Sequence, residues 1–127
     1  QTPIKTMPHV PHKYYCCPDI KLINYLYEKA TILIKASRYD ARSCSPVEAM
    51  TKGTVTARAI VEGDDDLIHN RNAVRVPYNA EALYSAAKKL LENQYWIRDQ
   101  LSVGCYDHVQ VYTWDYWIKI INEIISA

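Results

Sequence analysis

The stretch 107–127, DHVQVYTWDYWIKIINEIISA, contains the strongest structural pattern in the chain. Two neighbouring rows of apolar side chains follow it at alternating spacings of three and four residues, which is the period of an α-helix. Asp107 followed by Gln110 is typical of a capped helix start. The pattern predicts a helix about 30 Å long that is apolar around most of its circumference.

A surface helix of a small monomer would be about half polar, so this helix needs cover from other protein. Two environments fit it: an interface with another subunit, or the centre of a monomeric helical bundle. At a subunit interface we expect contacts from Trp114, Trp117, Ile121, Ile124 and Ile125.

The composition indicates one globular domain. A chain of 127 residues can bury a single core without help from metals or disulfides. Hydrophobic residues make up 49% and charged residues 23%, and these proportions exclude wholesale disorder. The net charge of +1 excludes a global basic field, so contact with nucleic acid would need cations gathered on one face. No apolar run reaches the roughly 18 residues of a membrane span.

Residues 1–17, QTPIKTMPHVPHKYYCC, predict an extended arm. Pro3, Pro8 and Pro11 push the residues before them toward extended conformations, and no helical period is present. Two roles fit an arm: a strap across its own domain, or an extension to a neighbouring subunit. The predicted organisation is therefore an N-terminal arm over 1–17 and a helical domain over 18–127.

Helical period and capping residues predict the elements between these two ends. One helix begins after Pro18 and reaches about residue 37. The sequence Ser-Pro-Val-Glu at 45–48 predicts the capped start of a second helix, which runs to residue 62. A short helix over 67–72 follows, and then a long one over 80–101 with Asn79 as its cap and Gly104 as its stop. The predicted fold class is all-α, a bundle of four to five helices with an extended, proline-containing arm.

Cations are the main candidates for binding. If the first helix continues through Tyr39, then Lys35, Arg38 and Arg42 lie along one helical face with Thr31. Phosphates suit such a row, although cations near a helix C-terminus are also common for electrostatic reasons alone. With cations of the following elements, the predicted nucleic-acid-binding set is Lys35, Arg38, Arg42, Lys52, Arg58, Arg71 and Arg75.

The histidines and cysteines near the N-terminus do not predict a metal site. His9, His12, Cys16 and Cys17 supply zinc-type donors, but adjacent cysteines rarely bind one metal together and the C-x2-C spacing is missing. The four cysteines of the chain allow three full disulfide pairings, and the sequence does not choose among them.

Signatures of catalysis are missing as well. The sequence has no nucleophile elbow, no phosphate-binding loop and no glycine-rich dinucleotide turn, and it contains only three glycines. The acidic residues 64–66 lack the alternating ligand spacing of a calcium loop and are predicted to form a solvated turn. We expect no enzymatic activity, no cofactor, no metal and no small-molecule substrate.

An extended arm, a compact helical bundle, cations on some helices and an apolar C-terminal helix together resemble the α-helical major coat proteins of rod-shaped and filamentous archaeal DNA viruses. The resemblance implies a structural virion protein, a capsid subunit that dimerises and polymerises around double-stranded DNA. It also implies sequence-independent phosphate contacts to DNA in an A-like form. The implied protein partners are copies of the chain or a second related coat subunit.

A second interpretation belongs to a different class. A small helical interaction or regulatory module would use the apolar C-terminal helix to bind one protein partner. Electron microscopy separates the two, because a coat subunit forms filaments of regular pitch and a module forms discrete particles.

Overall fold

The computed structural model describes residue 11 and residues 13–41, 43–63 and 65–126. This part of the chain contains five α-helices and three β-strands. In chain order they are α1 (Ile20–Lys29), β1 (Ile32–Lys35), α2 (Cys44–Met50), β2 (Val55–Ala59), β3 (Ala73–Val76), α3 (Ala80–Glu92), α4 (Ile97–Val109) and α5 (Trp114–Ser126). Most of the predicted arm, residues 1–10 and His12, lies outside the described residues.

The three strands form one parallel sheet in the order β1-β2-β3. Lys35 of β1 pairs with Arg58 of β2, and Arg58 pairs with Arg75 of β3. Parallel strands need a crossover between them. The first crossover contains α2, and the loop 60–72 makes the second without a helix.

Helices cover both faces of the sheet. All five residues of β2 are buried although consecutive residues of a strand point to opposite faces. α3 contacts all three strands, whereas α2 and α4 contact each other and β2. The buried apolar cluster consists of Met50, Val55, Ala57, Leu67, Ala73, Ala86, Leu90, Leu101, Cys105 and Val109. The described chain is therefore an α/β protein.

The prediction of an all-α bundle is wrong, because segments predicted to be helical or irregular form this sheet. α1 ends at Lys29, and the run Ile32–Lys35 is β1 instead of the end of a helix over 18–37. A short apolar run fits both a buried helical turn and a parallel strand that is covered on both faces. Since no glycine or proline separates this run from α1, periodicity alone favours a continued helix.

The prediction of a second helix over 45–62 is also wrong after residue 50. α2 ends at Met50, and Val55–Ala59 is β2. Gly53 lies between them with φ of +70°, a left-handed conformation that glycine adopts without strain. The N-cap position belongs to Ser43, so the predicted cap at Ser45 does not form.

The loop 60–72 takes the place of the predicted helix over 67–72. The side chain of Asn72 is fully buried and holds this loop. Its Oδ1 accepts the N–H of Ile68 at 2.8 Å, and its Nδ2 donates to the carbonyl of Asp66 at 3.0 Å. A buried amide with both of these partners satisfied stabilises a defined turn before β3.

The predicted helix over 80–101 begins correctly and ends too late. Asn79 caps α3 by accepting the N–H of Ala82 at 2.7 Å, as its position in the sequence predicts. The helix then ends at Glu92, because Asn93, Tyr95 and Trp96 adopt left-handed backbone with φ of 46°, 57° and 58°. No glycine or proline in the sequence marks this break between α3 and α4.

The predicted stop at Gly104 is wrong as well. Gly104 lies inside α4, where a β-carbon would overlap the carbonyl oxygen of Arg71. The glycine therefore permits close packing of α4 on the turn before β3.

The last helix begins later than predicted and has no buried residue. Thr113 precedes α5, and its Oγ1 accepts the N–H of Tyr116 at 3.3 Å, so Asp107 is not the cap. Trp114 is 82% exposed and Ile125 is 77% exposed. α5 is therefore not the centre of a bundle, and the predicted subunit contacts stay a prediction. Among the described helices, none has the length and apolar character needed to cross a membrane.

Candidate functional site

The carboxyl ends of the three parallel strands meet at one edge of the sheet, and the loops that follow line an open cleft. Open α/β sheets bind ligands outside the carboxyl ends of the strands, at the crevice where the strand order reverses. The order β1-β2-β3 contains no reversal, so this cleft is a candidate site on its own geometry. The cavity has a volume of about 930 Å³, and we refer to it as the carboxyl-edge cleft. Its lining residues are Arg38, Tyr39, Asp40, Ala41, Ile60, Val61, Glu62, Gly63, Asp65, Arg75 and Tyr78.

Three cations lie side by side near this edge. Lys35, Arg58 and Arg75 occupy matching positions on β1, β2 and β3, and aligned residues of parallel strands point to the same face. Neighbouring strands are about 4.8 Å apart, so these charges repel one another unless anions or carbonyl dipoles surround them. We call Lys35, Arg58 and Arg75 the cation row.

Asp40 supplies a carboxylate to two members of the cation row. Its Oδ2 lies 3.0 Å from Nζ of Lys35 and 3.4 Å from a guanidinium nitrogen of Arg58. The hydrogen bond from Lys35 is the main cause that lowers the pKa of Asp40, and the charges of Lys35 and Arg58 lower it further against the opposing effect of burial. Asp40 is therefore ionised at neutral pH and can accept hydrogen bonds from hydroxyl groups.

Arg75 fixes the position of the loop 60–72, which lines one side of the carboxyl-edge cleft. Its guanidinium donates to the carbonyls of Leu67 at 3.2 Å and Val61 at 3.5 Å, and its backbone N–H donates to Nδ1 of His69 at 2.9 Å. These bonds tie both ends of the loop 60–72 to β3. The shape of the cleft therefore depends on Arg75.

Arg38 and Tyr78 form the exposed side of the cleft. The guanidinium carbon of Arg38 lies 5.6 Å from the centre of the Tyr78 ring, which is a cation–π distance. Both side chains are exposed, so both are accessible to a ligand. Tyr78 holds the position of Arg38 without neutralising its charge.

An apolar pocket adjoins the cleft and shares Tyr78 with it. Its volume is about 470 Å³. It lies between the strand ends and the first turns of α3, and its lining residues are Ile34, Ala36, Ala59, Tyr78, Asn79, Ala80, Leu83, Tyr84 and Ala87. Charged and apolar surfaces therefore meet at Tyr78.

The predicted cations are divided between the two edges of the sheet. Arg38 and the cation row lie at the carboxyl edge, whereas Lys52 and Arg71 are exposed in the turns that precede β2 and β3. Arg42 lies outside the described residues. The predicted helical face through Thr31, Lys35, Arg38 and Arg42 does not form, because β1 and a loop replace the helix. Nucleic-acid binding by this set stays a prediction.

Asp40 and Tyr78 line the cleft, and neither was among the predicted site residues. Asp40 follows β1 and Tyr78 follows β3. A polar or aromatic residue soon after a short apolar run is the signal that finds such positions, and it applies only when the run is a strand.

Among the described residues, the carboxylates of Asp40, Glu62 and Asp65 that line the cleft are not placed to bind one metal ion together. Across the residues that the structure describes, no group of three or more His, Cys, Asp or Glu side chains is placed to hold a metal ion. The candidate zinc ligands His9 and His12 lie outside those residues, and all four cysteines are free thiols.

The fold and the cleft define a class, an α/β protein with a candidate ligand site at the carboxyl edge of a parallel sheet. No protein-family model matches the sequence, and no curated protein is significantly similar to it.

Proposed function

We propose that the carboxyl-edge cleft binds a nucleotide, either a free nucleoside diphosphate or one that is linked to a sugar. The observation that carries this proposal is the cation row beside Asp40 at the strand ends, with Arg38 exposed at the mouth. The ligand would need an anionic part to bind Arg38, hydroxyl groups to bind Asp40 and a planar part to fill the apolar pocket beside Tyr78.

The phosphates would bind to Arg38. A guanidinium makes paired, charge-assisted hydrogen bonds to phosphate oxygens, and Arg38 carries its charge at the surface of the cleft. Lys35 and Arg58 add positive potential near the cleft, and the lining carboxylates of Asp40, Glu62 and Asp65 oppose it. Arg58 is fully buried and does not reach a ligand itself.

The hydroxyl groups and the planar part would occupy the neighbouring surfaces. The carboxylate of Asp40 is 21% exposed, which leaves it able to accept hydrogen bonds from sugar hydroxyls. The apolar pocket beside Tyr78 offers an aromatic face and aliphatic walls to a base. The expectation of no small-molecule substrate depended on several missing motifs, among them the phosphate-binding loop and the glycine-rich dinucleotide turn. Strand ends can bind phosphates without either of these two.

Isothermal titration calorimetry with UDP, GDP, ADP, their sugar conjugates and inorganic phosphate tests the proposal. We expect at least one nucleotide to bind with Kd between about 1 μM and 1 mM. Arg38→Gln should weaken that binding about tenfold, which corresponds to about 1.4 kcal/mol. Lys52→Gln is the matched control, because Lys52 is exposed in the turn before β2.

Two results would contradict nucleotide binding in this cleft. One is that no nucleotide of the panel produces heat of binding. The other is that Lys52→Gln weakens binding as much as Arg38→Gln, which would mean that phosphates are attracted by overall charge.

The predicted coat subunit is a second candidate, and α5 is the observation that favours it. A helix with no buried residue and with Trp114, Ile124 and Ile125 at least 70% exposed leaves an apolar surface for another subunit to cover. The resemblance to coat proteins was based on an all-α layout, which is not the fold of this protein. We therefore retain only self-assembly from the predicted coat function.

Electron microscopy and light scattering test this second candidate. Ile124→Asp combined with Ile125→Asp should abolish assembly and leave the fold intact, since neither side chain is buried. Asn122→Asp adds a charge to the same helix outside its apolar rows and should leave assembly unchanged. A protein that is monomeric at high concentration would contradict the coat function and leave nucleotide binding untouched.

A further inference from the structure

We propose that Cys16 and Cys17 are a reactive vicinal dithiol, which closes reversibly into a disulfide between adjacent residues. The two Sγ atoms lie 3.7 Å apart, and both cysteines are exposed. The pair therefore has both the proximity and the access that thiol–disulfide exchange requires. This proposal does not depend on nucleotide binding.

The backbone brings the two thiols together. Side chains of successive residues in an extended chain point to opposite sides, so adjacent cysteines ordinarily hold their sulfurs apart. Cys17 has φ of +50°, a left-handed conformation that is uncommon for residues other than glycine. The Sγ–Sγ distance of 3.7 Å shows that both side chains lie on one side of this bend.

The reaction needs an oxidant, and a low-molecular-weight disulfide such as oxidised glutathione is the class we name. One cysteine thiolate attacks a sulfur of that disulfide, which forms a mixed disulfide and releases one glutathione thiolate. The second cysteine thiolate attacks the cysteine sulfur of the mixed disulfide and releases the other glutathione. The two cysteine protons end on the two glutathione thiols, and the protein loses two electrons to the oxidant.

The product would be easily reduced. Consecutive α-carbons are about 3.8 Å apart, whereas the α-carbons of ordinary disulfides are about 4.4–6.8 Å apart. A bridge across adjacent residues is therefore strained, and strained disulfides have more oxidising potentials. The pair is suited to a reversible modification and not to a structural cross-link.

The other two cysteines provide internal controls. Cys44 is exposed, as Cys16 and Cys17 are, but no cysteine adjoins it in the sequence. Its reaction with oxidised glutathione should stop at the mixed disulfide. Cys105 is buried, its thiol donates to the carbonyl of Asn72 at 3.1 Å, and burial raises its pKa to about 12. It should not react in the folded protein.

The test is mass spectrometry of tryptic peptides after the folded, full chain is treated with oxidised glutathione. The peptide 14–21 should become lighter by two hydrogen atoms and carry no glutathione, while the peptide 43–52 that contains Cys44 gains one glutathione. Dithiothreitol should restore both peptides. Cys16→Ser and Cys17→Ser should each convert the peptide 14–21 to the glutathione adduct, because the remaining thiol has lost its partner.

Glutathione retained on the peptide 14–21 of the unmutated chain would overturn the proposal, because it would mean that the second thiol does not displace it. An unreacted peptide 14–21 beside a modified Cys44 would overturn it equally. Far-UV circular dichroism of the two serine variants confirms that any change comes from the lost thiol and not from unfolding.

Discussion

Lys35 and Arg58 lie at matching positions of adjacent parallel strands, and both contact the same carboxylate oxygen of Asp40. Two cations at strand spacing repel each other, and Asp40 offsets that repulsion as a shared counter-charge. Lys35 also donates to Oγ of Ser45 at 3.0 Å, which links the end of β1 to α2. These contacts connect Asp40, which lines the cleft, to β1 and β2.

The shared carboxylate predicts a specific loss of stability in acid. The pKa of Asp40 is lowered in the folded protein, mainly by the hydrogen bond from Lys35. Its ionised form therefore stabilises the fold above the unfolded-state value of about 4, and that stabilisation is lost as the pH falls through the folded-state pKa. Asp40→Asn should unfold at a lower temperature than the wild type at pH 7, and the difference should shrink below about pH 4.

Thermal unfolding at a series of pH values measures this effect. Glu62→Gln is the control, because Glu62 is exposed in the same cleft. An Asp40→Asn difference that is as large in acid as at neutral pH would contradict the linkage.

Leu90 and Leu91 are adjacent residues of α3 with opposite environments. Leu90 is fully buried in the core, whereas Leu91 is 55% exposed. Leu90→Ala should lower the free energy of unfolding by about 2–5 kcal/mol through lost burial and a cavity. Leu91→Ala should change it by no more than about 0.5 kcal/mol in urea denaturation. Similar losses in both variants would contradict the packing of α3 on the sheet.

Gly104 should tolerate no side chain. A β-carbon at this position would overlap the carbonyl oxygen of Arg71, and that oxygen belongs to backbone that cannot rotate away. Gly104→Ala should therefore destabilise the protein by about 1–3 kcal/mol or more, although alanine favours helix over glycine. Val103→Ala, at a position that is 61% exposed, is the control. Increased stability in Gly104→Ala would contradict the close approach of α4 to this turn.

The thiol of Cys105 should be protected in the native state. It is fully buried, and burial raises its pKa to about 12, so the reactive thiolate is scarce at neutral pH. Iodoacetamide at pH 8 should modify Cys44 rapidly and Cys105 only after a denaturant is added. Equal labelling rates of the two in the folded protein would contradict this packing of α4.

Local signals in the sequence predict two helix starts correctly, miss the starts of α2 and α5, and predict none of the strands. Asn79 forms the expected cap, and Asp19 caps α1 by accepting the N–H of Leu22 at 2.8 Å. A cap depends on residues within one turn, and such residues are adjacent in the sequence. The four residues of β1 become a strand only because β2 pairs with them from more than twenty positions away.

The cleft was harder to predict than the elements that form it. Lys35, Arg58 and Arg75 are recognisable as a set of cations, but their alignment follows from the register of two parallel pairings. Arg58 is also fully buried, which its sequence context does not indicate, because one of its partners is Asp40, which follows β1. Residues that interact across a sheet cannot be paired before the sheet is known.

The order of the strands in the sheet is also their order in the chain. β2 can pair with β1 once β2 itself has left the ribosome, and β3 can then join the free side of β2. No later strand has to separate two that have already paired. α3 contacts all three strands and can therefore close the core only after β3 is in place. Strand order alone therefore allows the sheet to grow at one edge, with α3 completing the core on one of its faces.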